Sequence, residues 1–442
     1  MRALLFDILL VLALPATLAL PHLGILVYYW ISFMSPQQLL WESSGIPWSK
    51  LLVAVTLLAI PFSAGRRKLP LNLVTLTLVA FLSWCTVTSF FATYPALTWD
   101  IWADFAKIVL MTLVCVYMMG TRERLTAIIW TIVISLGYYT VKGGIFVLLT
   151  AGNYHVLGPP GSPFSETNGM ARAAIMILPL MYYLALHSAQ RYVRIGMYVA
   201  ICMTVLAMVG TGSRGGFLGF LAAVLALFAY SRHKVRMLVG AAILVVASLV
   251  ILPEERISGW TGRMETIESY QEDESAQSRF QSWQYAESVV EKSPIMGGGF
   301  GAFRGNIGLT DDPDFALDAH SNYYQILGDQ GYVGLALYLL LGLAALGTQF
   351  QIFWRARHQP ELYWARDLAI LLQVDTVGYF VGGLTITHPY LELYYALLSI
   401  TVICSTIVKQ KLVGAPSDLP SAPAIADREA DTAIASTRSM TF

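Results

Sequence analysis

Apolar stretches close to the length of a membrane-crossing helix recur from one end of this 442-residue chain to the other, and they decide its solvent. A helix needs about 20 predominantly apolar residues to cross the hydrocarbon core of a bilayer. Residues 47–63, 71–91, 101–119, 125–149, 168–187, 193–211, 214–230, 235–252, 331–353, 366–386 and 389–408 each approach that length. Charged residues are only 13% of the chain, against about 25% in a soluble domain. Residues 1–35 form one further apolar stretch, interrupted by Pro15 and Pro21. Because it runs on through Tyr28, Tyr29 and Trp30 to Met34, it reads as an uncleaved anchor making one net crossing as a proline-broken helix, rather than as a signal peptide. The four cysteines, Cys85, Cys115, Cys202 and Cys404, lie inside apolar runs without CxxC spacing and read as small apolar packers.

The basic residues orient the spans, because Lys and Arg concentrate in cytoplasmic loops. Arg66-Arg67-Lys68, Arg122/Arg124, Arg191/Arg194, Arg232/Lys234/Arg236, Arg355/Arg357 and Lys409/Lys411 fall at alternate span ends. Together with Arg2 they predict about twelve transmembrane helices with both termini cytoplasmic. Residues 253–319 hold thirteen Asp or Glu and five Lys or Arg, which puts this segment on the opposite, external face. The expected fold class is therefore an all-α polytopic membrane protein with one large periplasmic loop containing amphipathic helices. Its expected parts are a bundle of nine crossings (1–252), an external loop (253–330), three further crossings (331–411) and a disordered cytoplasmic tail (412–442). Over the whole chain 28 basic residues balance 28 acidic ones, which argues against nucleic acid as a partner.

Three features gather on the external side. In Thr211-Gly212-Ser213-Arg214-Gly215-Gly216 the chain turns tightly and re-enters as a helix. Ser213 can cap that helix, and Gly215 with Gly216 allows a ligand close to the outward N–H groups. Arg214 adds a fork of donors suited to an anion, although an arginine at that depth can also simply snorkel to lipid headgroups. The second feature runs from Gln277, with Phe280, Trp283, Ala286 and Val290 at helical spacing. Such an amphipathic helix can lie on the membrane with Trp283 in the headgroup layer. Arg279 on it has many acidic neighbours and can equally be a surface ion pair. The helix gives way at Ser293-Pro294 to Gly297-Gly298-Gly299-Phe300-Gly301, which reads as a turn. The third feature is His320-Ser321-Asn322-Tyr323-Tyr324, where a histidine at the membrane surface can exchange protons with a hydroxyl near neutral pH. His22, His155 and His388 are comparable by residue type, so type alone does not single out His320. Asp311, Asp312, Asp314 and Asp318 suit a divalent ion by their oxygens, but without a second cluster they read as a solvated acidic loop.

In their order along the chain, 139–144 (YTVKGG), 158–162 (GPPGS), 211–215 (TGSRG), 263–270 (RMETIESY), Arg279 with Trp283, 294–303 (PIMGGGFGAF) and 320–334 resemble the O-antigen ligase and polymerase superfamily of membrane glycosyltransferases. The likeness is strongest to the O-glycosylation ligases associated with exosortase A systems. The resemblance implies transfer of a glycan from an undecaprenyl diphosphate carrier to a hydroxyl acceptor (lipid A core, protein or another glycan) at the periplasmic face of the bacterial inner membrane. It implies no cofactor and no metal. It places the diphosphate on Arg214, Gly215 and Arg279, with His320 activating the acceptor, and Arg172 is an additional outer-side cation able to meet the carrier. One departure is Ser165-Glu166-Thr167-Asn168, where an Asn- or Asp-rich turn is expected and only Asn168 keeps the amide. Ligases and polymerases share these motifs. A transporter would show repeated halves and ionisable residues at the midplane; here Lys142 and Asp375 are the only deep charged candidates and the halves differ. A scaffold for envelope assembly would not need the arginines and the histidine.

Overall fold

The computed structural model describes residues 2–39, 45–62, 69–230, 234–251, 253–254, 274–303 and 318–414, and among them every long element is a helix, with no strand. The amino-terminal half contains α1 (Arg2–Ala19), α2 (Pro21–Met34), α3 (Trp48–Ala59), α4 (Leu73–Phe90), α5 (Pro95–Met118) and α6 (Arg122–Leu149). It continues with α7 (Thr167–His187), α8 (Arg191–Thr211), α9 (Arg214–Tyr230) and α10 (Lys234–Ile251). Then come α11 (Glu274–Lys292), α12 (Asn322–Ala356), α13 (Tyr363–Gly382) and α14 (Glu392–Val413). The motif at 263–270, the acids at 311–314 and the chain beyond 414 lie outside the described residues.

The chain is a multi-pass, all-helical membrane protein. Seven helices among the described residues (α4 to α8, α12 and α14) are long and apolar enough to cross a bilayer, fewer than the twelve crossings the sequence suggests. The stretches Leu4–Ala19, Trp48–Phe62, Arg214–Tyr230 and Ala242–Ile251 are apolar but shorter. α13 is long enough but carries Arg366, Asp367 and Asp375.

Residues 1–35 depart from the single net crossing. α1 and α2 fold back on each other about Leu20: the Phe6 and Trp30 rings lie 6.2 Å apart, and Leu10 packs with Ile31, Trp48 and Leu52. Trp48 Nε1 donates to Asp7 at 2.8 Å, so the start of α1 sits beside the start of α3. The pair is therefore a hairpin with both ends at one end of the bundle. Pro21 opens a new helix at its first position, where its missing N–H costs nothing.

α7 lies at the centre, packed against α6, α8, α9 and α13. Gly169, Ala171, Ala173 and Ala174 on it let neighbouring backbones approach closely, the usual way membrane helices pack. α12 begins at Asn322, nine residues before the expected span, because Ser321 caps it by accepting the Tyr323 N–H. Inside α12 the backbone breaks at Gly331 (φ 66°, ψ −171°), a conformation open essentially to glycine alone. The break makes room for the 294–303 turn: Gly298 and Gly299 donate to the Gly328 and Asp329 carbonyls, each at 2.8 Å, and Tyr332 donates back to Pro294 at 2.9 Å. Beneath this latch the buried Asp329 carboxylate accepts from Gln325 at 2.8 Å and from the Tyr390 hydroxyl at 3.1 Å.

α11 docks on the beginning of α12 and not through its tryptophan into headgroups. Trp283 stacks on Tyr324 with centroids 4.8 Å apart and planes 7° from parallel, and its indole N–H donates to the Ala319 carbonyl at 3.0 Å. Ala286 is buried with Phe303 and Ala319.

Candidate functional site

Four chain segments converge at one end of the bundle: the start of α7, the α8–α9 turn, the start of α12 and the connection 383–391 between α13 and α14. Ser213 Oγ accepts the Gly216 N–H at 3.0 Å, capping α9. The same hydroxyl donates to Asn168 Oδ1 at 2.6 Å, which ties the start of α9 to the start of α7. Asn168, the one amide left in the 165–168 turn, is thus used in bracing. Gly215 meets the 383–391 connection: a Cβ there would lie 2.4 Å from Thr385 Oγ1 and 2.7 Å from Ile386. Arg214, half-buried, opens the helix at this junction.

Arg172 stands one turn into α7 and is only 2% exposed. Its guanidinium donates to Asn322 Oδ1 at 3.1 Å, to the Ile386 carbonyl at 2.8 Å and to the His388 carbonyl at 3.4 Å. The Tyr379 ring lies beneath it at 5.2 Å. Asn322 is in turn held from both ends of its amide: Oδ1 also accepts the His388 N–H at 2.8 Å, and Nδ2 donates to the Tyr338 hydroxyl at 3.0 Å. The Asn322 N–H donates to the Gly383 carbonyl at 2.8 Å. This cation faces the protein, where it fixes the loop on which the histidine motif rests.

His320 precedes that framework by two residues and is partly exposed, with φ at 47°, a backbone region unusual for a non-glycine residue. Its Nδ1 lies 3.7 Å from the Asp318 carboxylate. Burial holds its pKa below the ordinary imidazole value; Asp318 and Glu166 oppose that shift and the nearby Arg279 guanidinium adds to it. Burial thus favours the neutral imidazole, the form able to accept a proton. Arg279 reaches this position because it lies one helical turn before Trp283, whose bond to Ala319 seats α11 beside His320. The structure thus brings Arg279, His320, Asp318 and Glu166 into one electrostatic neighbourhood, and Arg214 opens α9 at the same end of the bundle, where its neighbours Ser213 and Gly215 meet Asn168 and the Thr385 and Ile386 side chains.

The other histidines have different surroundings. His388 Nδ1 is buried with no hydrogen-bond partner among the described residues. Burial, with Arg172 beside it, pushes its pKa down to about 3. His155 Nδ1 donates to the Thr211 carbonyl at 2.9 Å. No three His, Cys, Asp or Glu side chains cluster as metal ligands among the described residues. The 383–388 connection, which touches Gly215, Arg172 and Asn322, carries no motif in the sequence; its Thr385-Ile386-Thr387-His388 run reads there as the end of a span.

Comparison with known proteins matches two stretches of the chain. Residues 198–339 match a family model described as O-antigen ligase, a stretch that holds Arg214, Arg279 and His320. Residues 1–189 match a family of unknown function, DUF5935. No curated protein matches. The 198–339 match supports the resemblance to the O-antigen ligase superfamily and with it a glycosyltransferase type of enzyme.

Proposed function

We propose that this protein is a metal-independent membrane glycosyltransferase of the ligase type, moving a glycan from undecaprenyl diphosphate to a hydroxyl acceptor at the periplasmic face of the bacterial inner membrane. The observation that carries this proposal is the placement of Arg279 near His320, through the Trp283–Ala319 bond that seats α11, inside the stretch matching the O-antigen ligase model. In the transfer the acceptor oxygen forms a bond to the anomeric carbon as the bond from that carbon to the diphosphate oxygen breaks. The acceptor proton passes to His320, and the electron pair of the broken bond stays on the diphosphate. Arg214, with the α9 N–H groups and Gly215 beside it, and Arg279 from α11 stabilise that growing charge. Arg172 acts behind the site, positioning the His320 loop through Asn322. The acceptor is a lipid A core, a protein or another glycan, and the exosortase-associated likeness favours protein.

The test presents purified full-length protein with one defined carrier-linked glycan and three acceptors: lipid A core, a Ser/Thr peptide and a second carrier-linked glycan. Glycan transfer with release of the carrier diphosphate is expected. Elongation of the second carrier alone would make the enzyme a polymerase. Absence of carrier release with every acceptor would remove the proposed activity.

A further inference from the structure

Lys142 is an exposed cation on α6, with no hydrogen bond or ion pair to it among the described residues. It lines a groove of about 540 Å³ between α6 and α8 whose other walls include Val133, Ile134, Tyr138, Ile145, Met197 and Ala200. Everything but the lysine and the Tyr138 hydroxyl is apolar. Ile134, Tyr138 and Ile145 are also exposed, so the groove opens away from the core of the bundle.

Its depth in the membrane follows from α6. At Leu149 the helix runs into the 150–166 connection, where the Val156 N–H donates to the Gly210 carbonyl at 3.2 Å. That end of α6 is therefore the end that carries Arg214. Lys142 lies seven residues from Leu149, about 10 Å along the axis, within reach of the headgroups of that leaflet by snorkelling. From Ile145 down to Val133 the groove covers twelve residues, about 18 Å, close to one leaflet of a core about 30 Å thick.

A cation at the edge of hydrocarbon calls for an anion, and the described residues supply none here. We propose that this groove seats one anionic glycerophospholipid from the leaflet on the candidate-site side, its phosphate on Lys142 and an acyl chain along Ile134, Tyr138 and Met197. A single lysine matches a single phosphodiester charge, and the groove matches one leaflet's length of chain. A polyprenyl diphosphate fits worse on both counts: it carries more charge than one lysine neutralises, and its chain is several times longer than a leaflet. The seat is thus separate from the donor site and does not depend on the proposed transfer.

The test is native mass spectrometry of the full-length protein in mild detergent, titrated with phosphatidylglycerol or with zwitterionic phosphatidylethanolamine. The wild type should hold one phosphatidylglycerol at least about tenfold more tightly than phosphatidylethanolamine, about 1.4 kcal/mol. Lys142→Met should lose that preference, and Lys142→Arg, which keeps the charge, should retain it. Ala200→Phe, which fills the groove, should weaken retention of both lipids. If Lys142→Met does not purify as a single species, Lys142→Gln replaces it. Equal retention of the two lipids by the wild type would mean ordinary annular lipid and overturn the proposal. So would an unchanged preference in the uncharged variant, displacement of the lipid by a polyprenyl diphosphate, or a second copy of the chain cross-linked through Ile134→Cys.

Discussion

The guanidinium of Arg172 and the side-chain oxygen of Asn322, 150 residues apart in sequence, meet at 3.1 Å behind the loop that presents His320. The same guanidinium holds the backbone of Ile386 and His388, so one side chain fixes the start of α12 against the α13–α14 connection. A lysine cannot reach three acceptors from one planar group.

Arg172→Lys is therefore expected to lower kcat, by up to about 10²-fold if the histidine shifts by an ångström, with little change in the donor KM. Steady-state kinetics with varied donor separates this from a direct contact to the carrier, for which KM would rise instead.

His320→Ala should lower turnover by roughly 10²–10⁴-fold, the range of general acid–base groups. The base works only when neutral, and burial already holds its pKa below the ordinary value. Activity should therefore be flat near neutral pH and fall on acidification, with a midpoint below about 6.5. Asp318→Asn removes a charge that favours the protonated form and should move that midpoint to lower pH. Arg279→Gln removes one that disfavours it and should move the midpoint up. Profiles of kcat/KM against pH for the three proteins check both signs.

Arg214→Lys and Arg279→Lys keep the charge and lose the planar fork, so each should fold normally and lose most activity. The double variant should fall well short of the product of the two losses, because both arginines act on one leaving group. Transfer rates at equal expression decide it, and losses that simply multiply would separate the two residues.

Transfer should survive a chelator, since the two arginines supply the positive charge the leaving group needs. Loss of activity in EDTA, restored by magnesium or manganese, would direct attention to the acids at 311–318.

Gly331→Ala should destabilise the protein by about 1–3 kcal/mol, because its φ of 66° with an extended ψ is open essentially to glycine. A Cβ there would also lie 2.2 Å from the Ile295 carbonyl. Thermal unfolding in detergent measures the shift.

The spans from α4 to α8 were legible because apolar length is a property of sequence alone. The hairpin of α1 and α2 was not, since residues 1–35 are equally apolar whether they cross once or fold back; the contacts of Phe6 with Trp30 and of Asp7 with Trp48 decide it. Arg214, Arg279 and His320 could be put forward as candidates by residue type and motif. The role of Arg172 could not, because two of its acceptors are backbone carbonyls, which every residue has. Trp283 misled for a related reason: an amphipathic helix with a tryptophan has the same pattern whether the ring meets headgroups or, as here, Tyr324.

The Arg172–Asn322 contact also bears on how such a protein can be inherited or recombined. The arginine falls within residues 1–189 and the asparagine within residues 198–339, each matched by a different family model, while Ile386 and His388 lie beyond both. A chimaera joining the amino-terminal part of one relative to the carboxy-terminal part of another would keep this contact only where the second part supplies an acceptor side chain at the position of Asn322. The division near residue 190 is a seam in sequence similarity, and the Arg172 guanidinium bridges it.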